Sequence, residues 1–321
     1  MRRVIVFGAL IFGVLIAFGG LSMAAAGDQG QPPAPQAPKT VSMQTLNVRD
    51  ILYVLKGGGG NTMALMRDEG AVVVDTKLPG WGKPIRDSVA AVSDKPVATI
   101  INTNASLERV GGNPEFSGVT QIVAHENTKA NMQKMDVFKG TNARFLPNKT
   151  FTDKMSLLDG IDRIDLYYFG AGRTNGDVIV VFPEKRVAIL GDLFPAKEAP
   201  AIDTANGGSA VAFPRTLARA IQEIKGVQRV VTGHDTRSAT PRQRESSGSQ
   251  IFANPLTMTW NDLQEYADFN RDFLAAVQDA MKAGKTADEA AATLKLPDRY
   301  KDYDMQQAKA NVQAIYGELK K

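Results

Sequence analysis

Residues 101–113 read Ile-Asn-Thr-Asn-Ala-Ser-Leu-Glu-Arg-Val-Gly-Gly-Asn. The stretch leaves an apolar run, Val97 to Ile101, that has the length and composition of a buried strand. Its polar residues and paired glycines then mark a loop, and α/β proteins build their sites on loops that follow strands. Upstream, Ile51 to Leu55, Asn61 to Met66 and Ala71 to Asp75 are strand candidates. They are separated by the Gly57–Gly60 turn and by the tight turn Arg67–Gly70. Trp81 to Val92 carries Trp81, Ile85, Val89 and Val92 at helical spacing. Downstream, Gln121 to Ala124 is a strand and Thr128 to Met135 a helix.

The second half repeats the theme. Ile164 to Phe169, Asp177 to Phe182 and Arg186 to Leu190 read as strands, the last two joined by a Pro183–Lys185 hairpin. Phe213 to Ile224 reads as a helix, and Val227 to Val231 as a last strand ending at Gly233 and His234. Strand pairs and helices in two similar halves predict two sheets with helices outside, an α/β αββα sandwich.

The ends differ in kind. Met1 to Arg3 is basic, and Val4 to Leu21 is an uncharged, mostly apolar run of 18 residues that includes four glycines. Ala24 to Ala26 fits a small-residue cleavage pattern. This predicts a signal peptide over 1–26 and export to the periplasm or the medium. An uncleaved segment would be the only membrane contact. Residues 27–40 contain four prolines and form a linker. Residues 41–245 are assigned to the sandwich and 246–321 to a helical C-terminal tail. In the tail, Trp260 to Met281 is amphipathic, Gly284 stands at a helix end, and Thr286–Glu289 is a capping-box pattern. Asp304–Gln307 reads as a second capping box. Packing on the chain's own sandwich is the expectation for the tail, because its apolar stripes are of ordinary width.

Composition narrows the function classes. With 43% hydrophobic and 22% charged residues, the 321-residue chain has the make-up of a globular protein. It has no cysteine, which excludes disulfides and thiolate metal sites, and only two histidines, His125 and His234. The net charge of +4 falls to +2 without Arg2 and Arg3, and no basic cluster points to nucleic acid.

Four further stretches stand at strand ends: Asp75 after a glycine-rich hairpin, Gly170-Ala-Gly-Arg-Thr-Asn-Gly-Asp177, Gly191-Asp-Leu-Phe194, and Gly233-His234. With the 101–113 loop, their order resembles that of the metallo-β-lactamase-fold hydrolases over residues 45–235. The resemblance implies zinc-dependent hydrolysis of an ester, thioester or amide-like bond. It also implies a first loop of the form Thr-His-x-His-x-Asp-His-x-Gly-Gly. Those ligand positions fall on Asn104, Ser106, Glu108 and Arg109, and the second loop's histidine falls on Arg173. Only Asp192 and His234 match. Asn and Ser are poor zinc ligands, and a guanidinium cannot deprotonate to coordinate.

The expectation is therefore a hydrolase-like pseudoenzyme with a degenerate zinc site, no cofactor, and no assignable catalytic residue. Arg109 and Arg173 would pair the Glu108 and Asp192 carboxylates, or open a pocket for a small anionic or carbonyl-bearing ligand. The alternative is an active hydrolase holding one zinc or another divalent transition metal on Glu108, Asp192 and His234. His125 is expected to bond backbone near a helix start rather than bind metal, Gly57–Gly60 to be a turn with no phosphate-binding role, and Ser246–Ser249 to be a connector.

Overall fold

In a computed structural model of the chain, residues 39–47, 51–234 and 257–320 are described. The expected signal peptide, most of the linker, the Ser246–Ser249 connector and the 245/246 boundary lie outside the described residues.

Thirteen strands among the described residues form two sheets. The first has the order β1-β2-β3-β4-β5-β6-β7: Ser42–Asn47, Leu52–Lys56, Thr62–Leu65, Ala71–Val74, Val97–Ile101, Gln121–His125 and Lys149–Phe151. It is antiparallel through β4 and parallel from β4 to β7. The second has the order β13-β12-β11-β10-β9-β8, drawn from Lys154–Leu157 (β8), Ile164–Tyr167 (β9), Ile179–Phe182 (β10), Val187–Ile189 (β11), Arg229–Val231 (β12) and Met258–Thr259 (β13). Only its β11–β12 pair is parallel.

The sheets face each other across one apolar layer. Val54, Met63, Val72, Val74 and Ile101 of the first pack with Leu166, Val180, Phe182, Ile189 and Val231 of the second. Such continuous apolar strands need cover on both faces. On the outer face of the first sheet lie helices α1 (Gly82–Ala90), α2 (Leu107–Val110) and α3 (Glu126–Met132), which contribute Ile85, Val89, Val110 and Met132. On the outer face of the second lie α4 (Phe213–Glu223), α5 (Trp260–Lys282), α6 (Ala287–Ala292) and α7 (Ala308–Leu319). The chain is an αββα sandwich.

The tail is part of this architecture. Leu263, Tyr266, Phe269, Phe273, Val312 and Ile315 share a core with Phe194, Phe213, Leu217 and Val230. The tail also supplies β13, whose Met258 pairs with Val230. Thr259 and Thr286 each make a full capping box, with Asp262 and Glu289 respectively, and Gly284 takes φ +77° after the end of α5. The pattern at Asp304 behaves differently. The helix after it begins at Ala308 without a side-chain cap, and the Asp304 carboxylate accepts from Gln306 N instead (2.9 Å). Its backbone is engaged elsewhere: Asp304 N donates to Lys197 O (3.0 Å), and Ala199 N donates to Asp304 O (2.8 Å). Long-range pairing with the loop after Asp192 sets the conformation here, and the local signal loses. No helix among the described residues is long and apolar enough to cross a membrane.

Candidate functional site

The 101–113 loop is closed by its own ends. Asn113 Nδ2 donates to Asn102 Oδ1 (2.9 Å), and Asn102 Nδ2 returns a bond to Asn113 Oδ1 (3.2 Å). Thr76 Oγ1 joins the pair, donating to Asn113 Oδ1 (2.7 Å). The turn after β4 grips the loop from below, with Asp75 and Lys77 both in the left-handed region at φ +63° and +67°. Each such residue costs about 1–2 kcal/mol when it carries a Cβ. The return is a set of buried bonds: Thr76 N to Arg109 O (2.7 Å), Gly112 N to Lys77 O (3.0 Å), and Thr103 N and Oγ1 to the two Asp75 oxygens (2.8 and 2.7 Å). Lys77, fully buried, donates Nζ to Leu55 O and Gly60 O.

Within this frame the structure brings together Asn104, Glu108, Arg109, Arg173, Asp192 and His234. Arg109 is wholly buried. Its Nη2 donates to Asp192 Oδ1 (2.5 Å) and its Nη1 to Gly233 O (2.8 Å). The guanidinium lies between two glycines: a Cβ at Gly60 would collide with Nη1, and one at Gly233 would crowd Nη2. Asn104 Nδ2 takes the other side, donating to Asp192 Oδ2 (2.7 Å) and to Asp177 Oδ1 (2.6 Å). Asn104 Oδ1 accepts from the N–H of Ser106, which is half-buried at the start of α2. Nearer the surface, Arg173 Nη1 stands 3.4 Å from Glu108 Oε1 and 3.6 Å from Asp192 Oδ2. His234 Nε2 lies 3.2 Å from Glu108 Oε2, and its Nδ1 lies 4.0 Å from Glu198 Oε1.

The arginines do pair with these carboxylates, each through a single nitrogen. Asn104 already holds Asp192 Oδ2, so Arg109 meets the carboxylate through one nitrogen and spends its other on Gly233 O. Arg173 shares one nitrogen between two carboxylates.

Charge and burial set the protonation states. Burial pushes the Asp192 carboxyl up, but Arg109 and Arg173 overcome it and hold the group well below the usual carboxylate range. Burial also works against the Arg109 charge, which Asp192 and Asp75 secure, raising its pKa above the ordinary arginine value. Glu108 is lowered despite its burial, chiefly by the hydrogen bond with His234. Asp75 and Asp177 go the other way. Burial pushes each up to about 7, against the pull of Arg109 on Asp75, and with the Asp192 charge adding to the rise at Asp177.

As a metal site the arrangement has two faces. The Glu108, Asp192 and His234 ligand atoms lie within 4.8 Å of one another, an N/O donor set that suits a divalent transition metal. Yet Asn104, Ser106 and Arg109 supply no metal donor of that kind, and the cationic Arg109 and Arg173 already meet the Asp192 oxygens. A dizinc centre does not fit these residues.

His125 stands apart. Its Nδ1 accepts from Asn127 N (3.1 Å) as the N-cap of α3, and its ring stacks on Tyr168 at 3.9 Å. The Gly57–Gly60 segment is a turn, whose last residue makes room for Arg109. Sequence reasoning gave no role to Gly60, Gly233, Lys77, Asp177 or Glu198. The available signals were the Gly-Asp that ends the 170–177 motif and the Gly233-His234 pair.

A family model for the metallo-beta-lactamase superfamily matches residues 55–241. The chain is 27% identical over 165 residues to the 2,4-dinitroanisole O-demethylase subunit alpha of Nocardioides sp. (strain JS1661), covering 50% of this chain and 49% of that protein. It is 25% identical over 180 residues to the metallo-beta-lactamase type 2 of Elizabethkingia meningoseptica, covering 54% of this chain and 68% of that one. The chain thus spans about half the length of the first relative and about two thirds of the second. Among solved structures, a metallo-beta-lactamase from Pontibacter korlensis superposes with TM-score 0.57 at 18% identity, covering 73% of this chain and 100% of that one. The mono-zinc form of the metallo-beta-lactamase FIM-1 from Pseudomonas aeruginosa gives 0.56 at 13%, covering 73% and 97%. At these identities the structures establish the fold alone.

Proposed function

The chain belongs to the metallo-beta-lactamase superfamily, and from that premise we propose that it is an exported, non-catalytic member in which a guanidinium has replaced the metal. The observation that carries this reading is Arg109. It is fully buried, seated between Gly60 and Gly233, and bonded to Asp192, the one aspartate that the chain retains at the family's zinc-ligand positions. A buried carboxylate needs a cation or hydrogen-bond donors. In this superfamily zinc usually provides the cation, and here Arg109 meets the need from within the chain. Without a metal to lower the pKa of water, hydroxide is scarce at neutral pH. The pocket then serves to bind a small anionic or carbonyl-bearing ligand rather than to cleave one.

The test is metal content and activity together. Protein purified from zinc-supplemented medium should carry transition metal far below stoichiometry by elemental analysis. It should leave chromogenic ester, thioester and amide substrates intact. Stoichiometric metal with turnover would reject this reading.

A second reading rests on the close approach of Glu108, Asp192 and His234. In it these three residues hold one divalent metal, and Arg173 swings away from the carboxylates. It predicts metal in the purified protein and activity abolished in His234→Ala.

A further inference from the structure

The two arginines of the pocket are not equivalent. Arg109 is sealed, with both terminal nitrogens in short bonds. The Arg173 side chain keeps 24% of its surface exposed. Its two carboxylate contacts, at 3.4 and 3.6 Å, are long for charge-assisted hydrogen bonds, which run at about 2.7–2.9 Å. The stronger claims on those carboxylates are made by other groups: Arg109 and Asn104 on Asp192, His234 on Glu108. Nε of each arginine is buried without a hydrogen-bond partner among the described residues, so the two differ at their terminal nitrogens. The backbone beneath is fixed, with Asp203 N donating to Arg173 O (2.8 Å) and Gly172 N to Thr174 O (2.8 Å). Arg173 is therefore a positioned cation whose donors are largely unspent.

Beyond Glu108 lie the apolar side chains Leu78 and Trp81, with Lys39 Nζ 5.9 Å from the centre of the Trp81 ring. The glycine turn runs between Trp81 and Glu108: a Cβ at Gly58 would enter the Trp81 indole, and one at Gly59 would lie 3.3 Å from Glu108 Cβ and 3.6 Å from Leu78 Cγ. Trp81 and Leu78 are half-buried, and Leu107, which precedes Glu108, is 42% exposed. A ligand anchored at Arg173 thus extends past Glu108 onto apolar surface. Charge chooses among anions. Glu108 and Glu198 both border the mouth through His234, so a ligand charge beyond the one that Arg173 pairs meets two carboxylates and, among the described residues that border the mouth, no further cation.

The geometry points to a binding site for a small monocarboxylate with an apolar or aromatic body. Its carboxylate would sit on Arg173 and its body against Trp81 and Leu78. This rests on the non-catalytic reading above, because a metal on Glu108 and Asp192 would displace Arg173.

Isothermal titration of the full chain with phenylacetate tests it. Phenylacetamide serves as the neutral control, acetate lacks the apolar body, and inorganic phosphate is the dianionic control. Saturable binding of phenylacetate is expected, with phenylacetamide and the Arg173→Gln variant each weaker by about tenfold or more. Trp81→Ala should weaken phenylacetate while leaving acetate unchanged. No saturable binding by the wild-type chain, equal affinity for acid and amide, tighter binding of phosphate, or unchanged affinity in a folded Arg173→Gln would each overturn the inference. Metal content measured on the same preparation separates the failures. Metal-free protein that ignores phenylacetate defeats this inference alone, whereas stoichiometric metal defeats the reading beneath it.

Discussion

Replacing Arg109 with Met keeps much of the buried volume and removes only the charge and its donors, so the loss reports electrostatics more than packing. The wild-type residue is fully buried and donates to Asp192 at 2.5 Å and to Gly233 O at 2.8 Å. Removing one partner of a buried pair costs about 3–5 kcal/mol. Asp192 keeps Asn104 at 2.7 Å and Arg173 at 3.6 Å, so the lower end, about 3 kcal/mol, is expected. For a domain of this size that lowers the melting temperature by about 6–12 °C. The pH dependence is the sharper signature. In the wild type the Asp192 pKa is depressed, so its contribution is present above the unfolded value of about 3.9 and is lost as pH falls below it. In the variant, burial dominates and the folded pKa rises. The contribution of Asp192 is then fully present only below the unfolded value and declines as pH climbs through the raised one. The difference between the two proteins, measured by urea denaturation, should be widest near neutrality and narrow toward pH 4. Adding Asp192→Asn should recover most of the loss. A destabilisation below about 1 kcal/mol at neutral pH, or one that does not change with pH, would refute the assignment of Arg109 as the counter-charge of Asp192.

Gly60→Ala should cost about 1–3 kcal/mol by displacing the guanidinium, and nearly all of that cost should vanish in the Arg109→Met background, a coupling that a double-mutant cycle of denaturation midpoints would measure. Asp75, pushed up to about 7 by burial, keeps a proton in the folded state that the unfolded chain releases near pH 4, so it makes stability fall as pH rises across that window. Asp75→Asn can still accept from Thr103 N, and it should flatten that part of the denaturation profile between pH 4.5 and 7. Thr286→Ala removes the capping box of α6 and should cost about 1 kcal/mol in thermal or chemical denaturation, with no effect on the pocket.

The sandwich was legible wherever burial imposed an apolar run. The strands at 71–74, 97–101 and 179–182 are apolar enough to announce themselves, and the α5 stripe was regular over many turns. The expected strands missed β13, β1, β7 and β8. The last two are short edge elements with lysines facing out, and their pattern looks like loop. Helix α2 has four residues inside the site loop, too few for periodicity to register. The tail was expected to pack at home, and its apolar stripe said so. That it also extends the second sheet through Met258 and Thr259, and that Asp304 pairs with the loop at Lys197, depends on partners far away in sequence.

In the site, the resemblance placed Asn104, Glu108, Arg109, Arg173, Asp192 and His234, and the fold gathers them. The remainder was hidden for physical reasons. Gly60 and Gly233 act through a missing Cβ, which has meaning only once the Arg109 guanidinium is known to fill the space. The Asn102–Asn113 amide pair and the left-handed Asp75 and Lys77 follow from closing the loop in three dimensions. That Arg109 meets Asp192 through a single nitrogen follows from Asn104, whose bridge between Asp177 and Asp192 no spacing rule announces.

Anomalous diffraction at the zinc absorption edge, from crystals grown with zinc in the medium, asks most directly what neutralises Asp192. The expected map has no peak in the pocket and shows the Arg109 guanidinium on Asp192 between Gly60 and Gly233. A zinc peak bonded to Asp192 and His234, with Arg109 turned out of the cradle, would contradict the account.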